Sequence, residues 1–227
     1  MRLQVREWGG GRRVAVLIHG AMSDSRTWCR VGPLLAEHGY RVLAPDLRGH
    51  GLSPRAEYAP GGWGEDLPES LPGPIDLAIG HSLGGQALAA AVDRLMPARA
   101  VYYEPAWHID GSPDTARLFT ARKTAGVEQI AADHPDWAHD DVQLELEMLR
   151  RWDVETVPGL TTAGDYTPTC PCVPSLVQVA AHSALISQAM ARRLQDRGFT
   201  VLDLPSAEHA MHRNDPEGFM ATLSGWI

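Results

Sequence analysis

The stretch from Ile75 to Leu95 constrains this chain more than any other. Ile75–Gly80 is an apolar run of strand length, and Leu83–Leu95 is Ala-rich and helical. Only His81 and Ser82 stand between them, so the chain turns from strand to helix at once and carries a serine at the tip. A strand of unbroken apolar character is buried on both faces, the habit of a parallel sheet covered by helices. The rest of the chain keeps this rhythm. Leu3–Trp8 alternates and reads as a strand, and Val14–Ile18 is a second continuous apolar strand. A short helix follows, with Pro33 near its first turn and Gly39 just past its end. Arg41–Pro45, Ala98–Glu104, Ser175–Ala181 and Thr200–Leu204 complete the strands. Gln188–Arg197, stopped by Gly198, and Pro216–Ile227 are helices. The fold class this implies is α/β, a mostly parallel sheet with helices on both faces.

Composition narrows the function. A chain of 227 residues with 44% hydrophobic and 21% charged residues suits one compact domain with a sizeable core. The formal net charge of −8 argues against a general nucleic-acid binder, which needs a basic footprint. No apolar run approaches a membrane span, and Met1–Trp8 holds no apolar signal stretch. Three cysteines, an odd count, argue against a disulfide framework, and Cys170-Pro-Cys172 lacks the spacing and number of a zinc site. A cytoplasmic protein without metal or organic cofactor is expected.

One segment breaks the rhythm: about 70 residues separate Glu104 from Ser175. Ser112-Pro113 opens a helix that Gly126 is expected to close, and Asp140 with Gln143 reads as a capping box for the next. Val142, Leu146 and Leu149 share one face of that helix, widened by Leu144, Met148 and Trp152. The expectation is a single domain over 1–227 with 107–157 as a helical cap insertion; a pair of ordinary crossover helices is the alternative.

Gly80-His81-Ser82-Leu83-Gly84 matches G-x-S-x-G in the strand–turn–helix context that motif requires. A serine at so sharp a turn has strained backbone angles, and the glycines remove the bulk that would clash there. The helix from Leu83 aims free N–H groups and a positive dipole end at whatever Ser82 attacks.

Four segments together make the chain recognisable: His19-Gly20, Asp46–Ser53, Gly80–Gly85 and Glu208-His209. In their order and spacing the chain resembles the α/β-hydrolase family over nearly its whole length. The resemblance implies a sheet of about seven strands with a small helical cap and Leu3–Trp8 as an antiparallel edge. It makes Ser82 the nucleophile and His209, on the loop after the last strand, its base; His212 is the confounder. Backbone N–H groups of Leu83 and Ala21 would hold the oxyanion, with Met22 as second choice for Ala21. Asp46–Ser53 reads as structural.

The acid departs from the family's common pattern, which places an aspartate after the strand Ser175–Ala181. No carboxylate occurs between Asp165 and Asp196. A minority of the family carries the acid one strand earlier, where Glu104 ends Ala98–Glu104. The order Ser82, Glu104, His209 then fits the family's nucleophile, acid, base. The alternative is a dyad with His182 or a water orienting His209.

The expected activity is hydrolysis of a carboxylic ester or lactone by a Ser82–His209–Glu104 triad. Met22, His81, Trp107 and Trp152 are candidate pocket residues. The partner is a small-molecule ester or lactone, and the protein a monomer or homodimer. Thioester hydrolysis, carbon–carbon bond hydrolysis, hydroxynitrile cleavage and peptidase or amidase action stay open on this scaffold, as does a weakly catalytic ligand-binding protein.

Overall fold

The computed structural model describes residues 1–227. In chain order it runs β1 (Val5–Trp8), β2 (Arg13–Ile18), α1 (Val31–Glu37), β3 (Tyr40–Pro45), α2 (Leu67–Ser70), β4 (Leu77–His81), α3 (Leu83–Leu95) and β5 (Arg99–Tyr103). A largely helical excursion follows: β6 (His108–Ile109), α4 (Pro113–Arg122), α5 (Val127–Asp133), α6 (His139–Arg151), α7 (Val157–Thr161) and β7 (Gly164–Asp165). The chain then resumes with β8 (Ser175–Ala180), α8 (Gln188–Asp196), β9 (Thr200–Leu204), α9 (Met211–Asn214) and α10 (Pro216–Thr222).

Seven strands form one sheet in the order β1-β3-β2-β4-β5-β8-β9. β1 pairs antiparallel with β3, as the edge position implied, and the other neighbours are parallel. Strand alternation splits the core in two. On β2 and β5, Val16, Ile18, Ala100 and Tyr102 join α3 and α8 on one face. Ala15, Leu17, Val101 and Tyr103 join α1 and α10 on the other. Both faces are covered, which is why these strands read as continuous apolar runs. No helix is long and apolar enough to cross a membrane.

The loop after β3 is structural. Asp46 accepts the Ser25 N–H at 2.7 Å and the Leu52 N–H at 2.8 Å, tying two loops together. Arg48 pairs with the buried Asp66 at 2.6 Å.

The excursion between β5 and β8 corrects two local readings. α4 does open at Ser112, whose hydroxyl accepts the Asp114 N–H, but it ends at Arg122; Gly126 instead precedes α5 as its N-cap. The capping box does not form: α6 starts at His139 with Ala138 as N-cap and no side-chain bond. Asp140 and Asp141 lie in its first turn, favourable to the helix dipole, and Asp141 is taken by Arg30 at 2.5 Å. At the other end of α6, the Lys123 ammonium donates to the carbonyls of Leu149, Arg150 and Trp152, which have no intrahelical partner. The ribbon β6–β7 closes the excursion at its base, beyond the expected end at Val157.

Candidate active site

Ser82 sits between β4 and α3 at φ 52°, ψ −116°, a conformation unusual for a residue with a side chain. The reason two glycines flank it is steric. A Cβ on Gly80 would lie 2.4 Å from the Gly84 carbonyl oxygen, and one on Gly84 would lie 2.2 Å from that of Ile18. The turn is held from outside the strand by Ser82 N–H to Tyr103 O at 3.1 Å and Ala106 N–H to Ser82 O at 3.0 Å. Leu83 begins α3, so its N–H is one of the four that a helix leaves without an internal acceptor. Gly20 brings the loop after β2 against the serine: a Cβ there would be 3.2 Å from Ser82 Cβ. Met22, at φ 63°, turns that loop.

Glu104 directly follows β5, also at positive φ (46°), and only 1% of it is exposed. Its Oε1 accepts the Ala180 N–H at 2.8 Å and its Oε2 accepts the Ser183 hydroxyl at 2.9 Å. The same Oε2 lies 3.5 Å from His209 Nδ1. The two loops that carry Glu104 and His209 therefore meet, although 105 positions separate them.

The loop bearing His209 is pinned on both sides. The Tyr103 hydroxyl donates to the Glu208 carbonyl and accepts the Met211 N–H at 3.1 Å. His81 Nε2 donates to the His209 carbonyl at 2.7 Å, the only role open to a nitrogen facing a carbonyl oxygen. Burial, with His209 and His212 as neighbours, pushes His81 well below the usual imidazole range, consistent with a neutral ring. His212 is fully buried, contacts the Thr27 hydroxyl at 3.0 Å, and is pushed well down by burial and then by Arg213. His209, by contrast, keeps a half-exposed side chain.

A cavity of about 800 Å³ opens over Ser82. Ala21, Ser82, Leu83, Glu104 and His209 all line it, joined by Phe119 of α4, Leu160 of α7 and Leu185. His182 also lines it, but the contact to Glu104 is made by its neighbour Ser183. The pocket expectation for Met22, His81, Trp107 and Trp152 is corrected, for none of the four is a lining residue. Trp107 is fully buried against Tyr102, and its indole N–H donates to the Gly85 carbonyl at 3.2 Å. Trp152 is equally buried and donates to the Thr156 hydroxyl at 2.8 Å. His81 lies behind the base loop, and Met22 packs between the core and the α5–α6 cluster. Ser183 escaped the sequence reading, which placed Tyr103 only as a strand residue, as it is in β5. The signal for Ser183 was its place after β8, where the common pattern puts the acid. No group of three or more His, Cys, Asp or Glu side chains is arranged to hold a metal ion.

A profile described as the Alpha/beta hydrolase family matches residues 15–222. The chain belongs to the alpha/beta hydrolase family. Among curated relatives, Lipase LipV of Mycobacterium tuberculosis is 36% identical over 124 residues, covering 48% of this chain and 44% of that protein. Among solved structures, the esterase EaEST from Exiguobacterium antarcticum superposes with a TM-score of 0.78 at 16% identity, over 99% of this chain and 94% of that one. The enol-lactonase from Burkholderia xenovorans LB400 gives 0.76 at 24% identity, over 98% and 95%. At such identities the two structures establish the fold. The matched stretches span only 15% and 24% of the first curated relatives' own length.

Proposed function

We propose that this alpha/beta hydrolase cleaves a carboxylic ester or lactone through an acyl-enzyme on Ser82. The observation that carries the reading is one cavity lined by Ser82, Glu104 and His209, with Ser82 on a strained turn and Glu104 Oε2 3.5 Å from His209 Nδ1. Ser82 Oγ attacks the carbonyl carbon while His209 Nε2 takes its proton. The oxyanion is held by the N–H groups of Leu83 and Ala21. His209 returns the proton to the departing alkoxide as the carbon–oxygen bond breaks. Water then adds to the acyl group, giving its proton to His209, which passes it to Ser82 Oγ as the acyl carbon–Oγ bond breaks and the acid leaves. Glu104 holds the imidazolium in register throughout. The segment from α4 to α7 is the cap that shapes the acyl site within a single domain.

The lining also argues for an uncharged acyl group. Phe119, Leu160 and Leu185 supply apolar surface, no lysine or arginine is present, and Glu104, Asp110 and Glu208 add negative charge. A free carboxylate there would meet no lysine or arginine, only imidazoles such as those of His108 and His182 and neutral donors such as Gln86 and Thr115, and burying a charge without a fixed opposite charge is costly. The test uses a fluorophosphonate probe and two p-nitrophenyl esters. Ser82 is expected to label and Ser82→Ala to stay unlabelled, and the butyrate is expected to turn over at least tenfold faster than the hemisuccinate. No labelling at Ser82, or no turnover of either ester, overturns the hydrolase reading; a preference for the hemisuccinate overturns the acyl-group assignment.

A further inference from the structure

Ser183 holds the most constrained hydroxyl near the cavity. A serine hydroxyl has one proton to donate and two lone pairs to offer. The Ser183 Oγ accepts the Leu185 N–H at 3.2 Å and the Ile186 N–H at 2.9 Å, which occupies both lone pairs. Its single proton is left for Glu104 Oε2 at 2.9 Å. That oxygen is the one facing His209 Nδ1 at 3.5 Å. The Ala180 N–H fixes the other carboxylate oxygen at 2.8 Å. The Glu104 side chain is thus gripped at both oxygens by the end of β8 and its loop.

We infer that Ser183 is the positioning residue for Glu104. Its O–H fixes the carboxylate plane so that Oε2 presents a lone pair to His209. The loop after β8 supplies a hydroxyl that aims an acid carried on β5. The inference rests on the acyl-enzyme reading of Ser82, and the readouts separate the two.

The experiment measures the rate of fluorophosphonate labelling at Ser82, together with kcat and KM on p-nitrophenyl butyrate, for wild type, Ser183→Ala and Ser183→Thr. Thermal unfolding of each reports the loop's own contribution to stability. Ser183→Ala is expected to slow labelling and lower kcat by about tenfold, the scale of one well-made hydrogen bond to a charged group, with KM within about twofold. Ser183→Thr keeps the O–H and restores both rates to within about threefold. A merely structural serine would lower Tm and leave the labelling rate of the folded protein unchanged. Should Ser183→Ala fold poorly, Ser183→Cys keeps the shape and trades a strong donor for a weak one. It is expected to label several-fold more slowly than Ser183→Thr. Wild-type labelling with equal rates in Ser183→Ala, or in Ser183→Cys where that variant is read, overturns the positioning role alone. Absence of wild-type labelling overturns the hydrolase reading beneath it.

Discussion

Glu104→Gln isolates the charge of the acid with almost no change in shape. Two donors grip the carboxylate, the Ala180 N–H and the Ser183 O–H, and His209 Nδ1 faces it at 3.5 Å. Glutamine offers one acceptor oxygen and an NH2 group, so one donor must face another donor. At 3.5 Å and an effective dielectric of about 20, a carboxylate and an imidazolium attract by ~5 kcal/mol. The His209 side chain is 51% exposed and Glu104 1%, so we take ~2 kcal/mol, between the ~0.2–1 kcal/mol of a fully exposed pair and the unscreened figure. Lost from the transition state alone, this is a fall in kcat of roughly 30-fold. The mispaired amide, in a residue 1% exposed, adds a stability cost of ~1–3 kcal/mol, or about 2–4 °C in Tm per kcal/mol. The assay is steady-state hydrolysis of p-nitrophenyl butyrate beside fluorophosphonate labelling, with unfolding curves as the control. A folded Glu104→Gln enzyme within threefold of wild-type kcat would refute the reasoning, because no 3.5 Å charge pair could then be orienting the base.

Three further expectations follow from other contacts. Tyr103→Phe removes the hydroxyl that bridges Glu208 O and Met211 N, so kcat should fall about tenfold while KM holds; unchanged kinetics would mean the base loop is held without it. Gly84→Ala sets a Cβ 2.2 Å from Ile18 O and 2.6 Å from His19 O, both backbone, and should cost ~3 kcal/mol or more and abolish labelling. Gly10→Ala, with nothing within 4 Å, is the control, and equal Tm losses in the two would contradict the steric account. The third concerns acid. His19, His50, His81 and His212 are buried and pushed down chiefly by lost solvation, His50 to about 3. Below about pH 6.5 the unfolded chain binds protons that the folded one refuses, so stability falls as pH falls, by up to ~1.4 kcal/mol per pH unit per histidine. The urea midpoint should drop between pH 7.5 and pH 5.5, and less so in His50→Gln; a higher midpoint at pH 5.5 contradicts the sign.

Much of this architecture is written locally. Continuous apolar runs give the parallel strands, because a strand covered on both faces needs apolar side chains in both registers. Gly80-His81-Ser82-Leu83-Gly84 defines the elbow, because the clash that demands each glycine lies within a few residues or on the adjoining strand. Glu104 is legible as the carboxylate that ends a buried strand. Tertiary structure decides what depends on meeting across the sheet. It buries His212 beside Thr27 and leaves His209 at the cavity. It sends Trp107 and Trp152 into the core and brings Phe119 and Leu160 to the cavity. It denies Asp140 its cap and gives Asp141 to Arg30 on a distant element. Above all it joins Ser183, Glu104 and His209, which no spacing relates. Short-range sterics are recorded in adjacent residues, whereas a contact between loops exists only once strand order and register have carried both there.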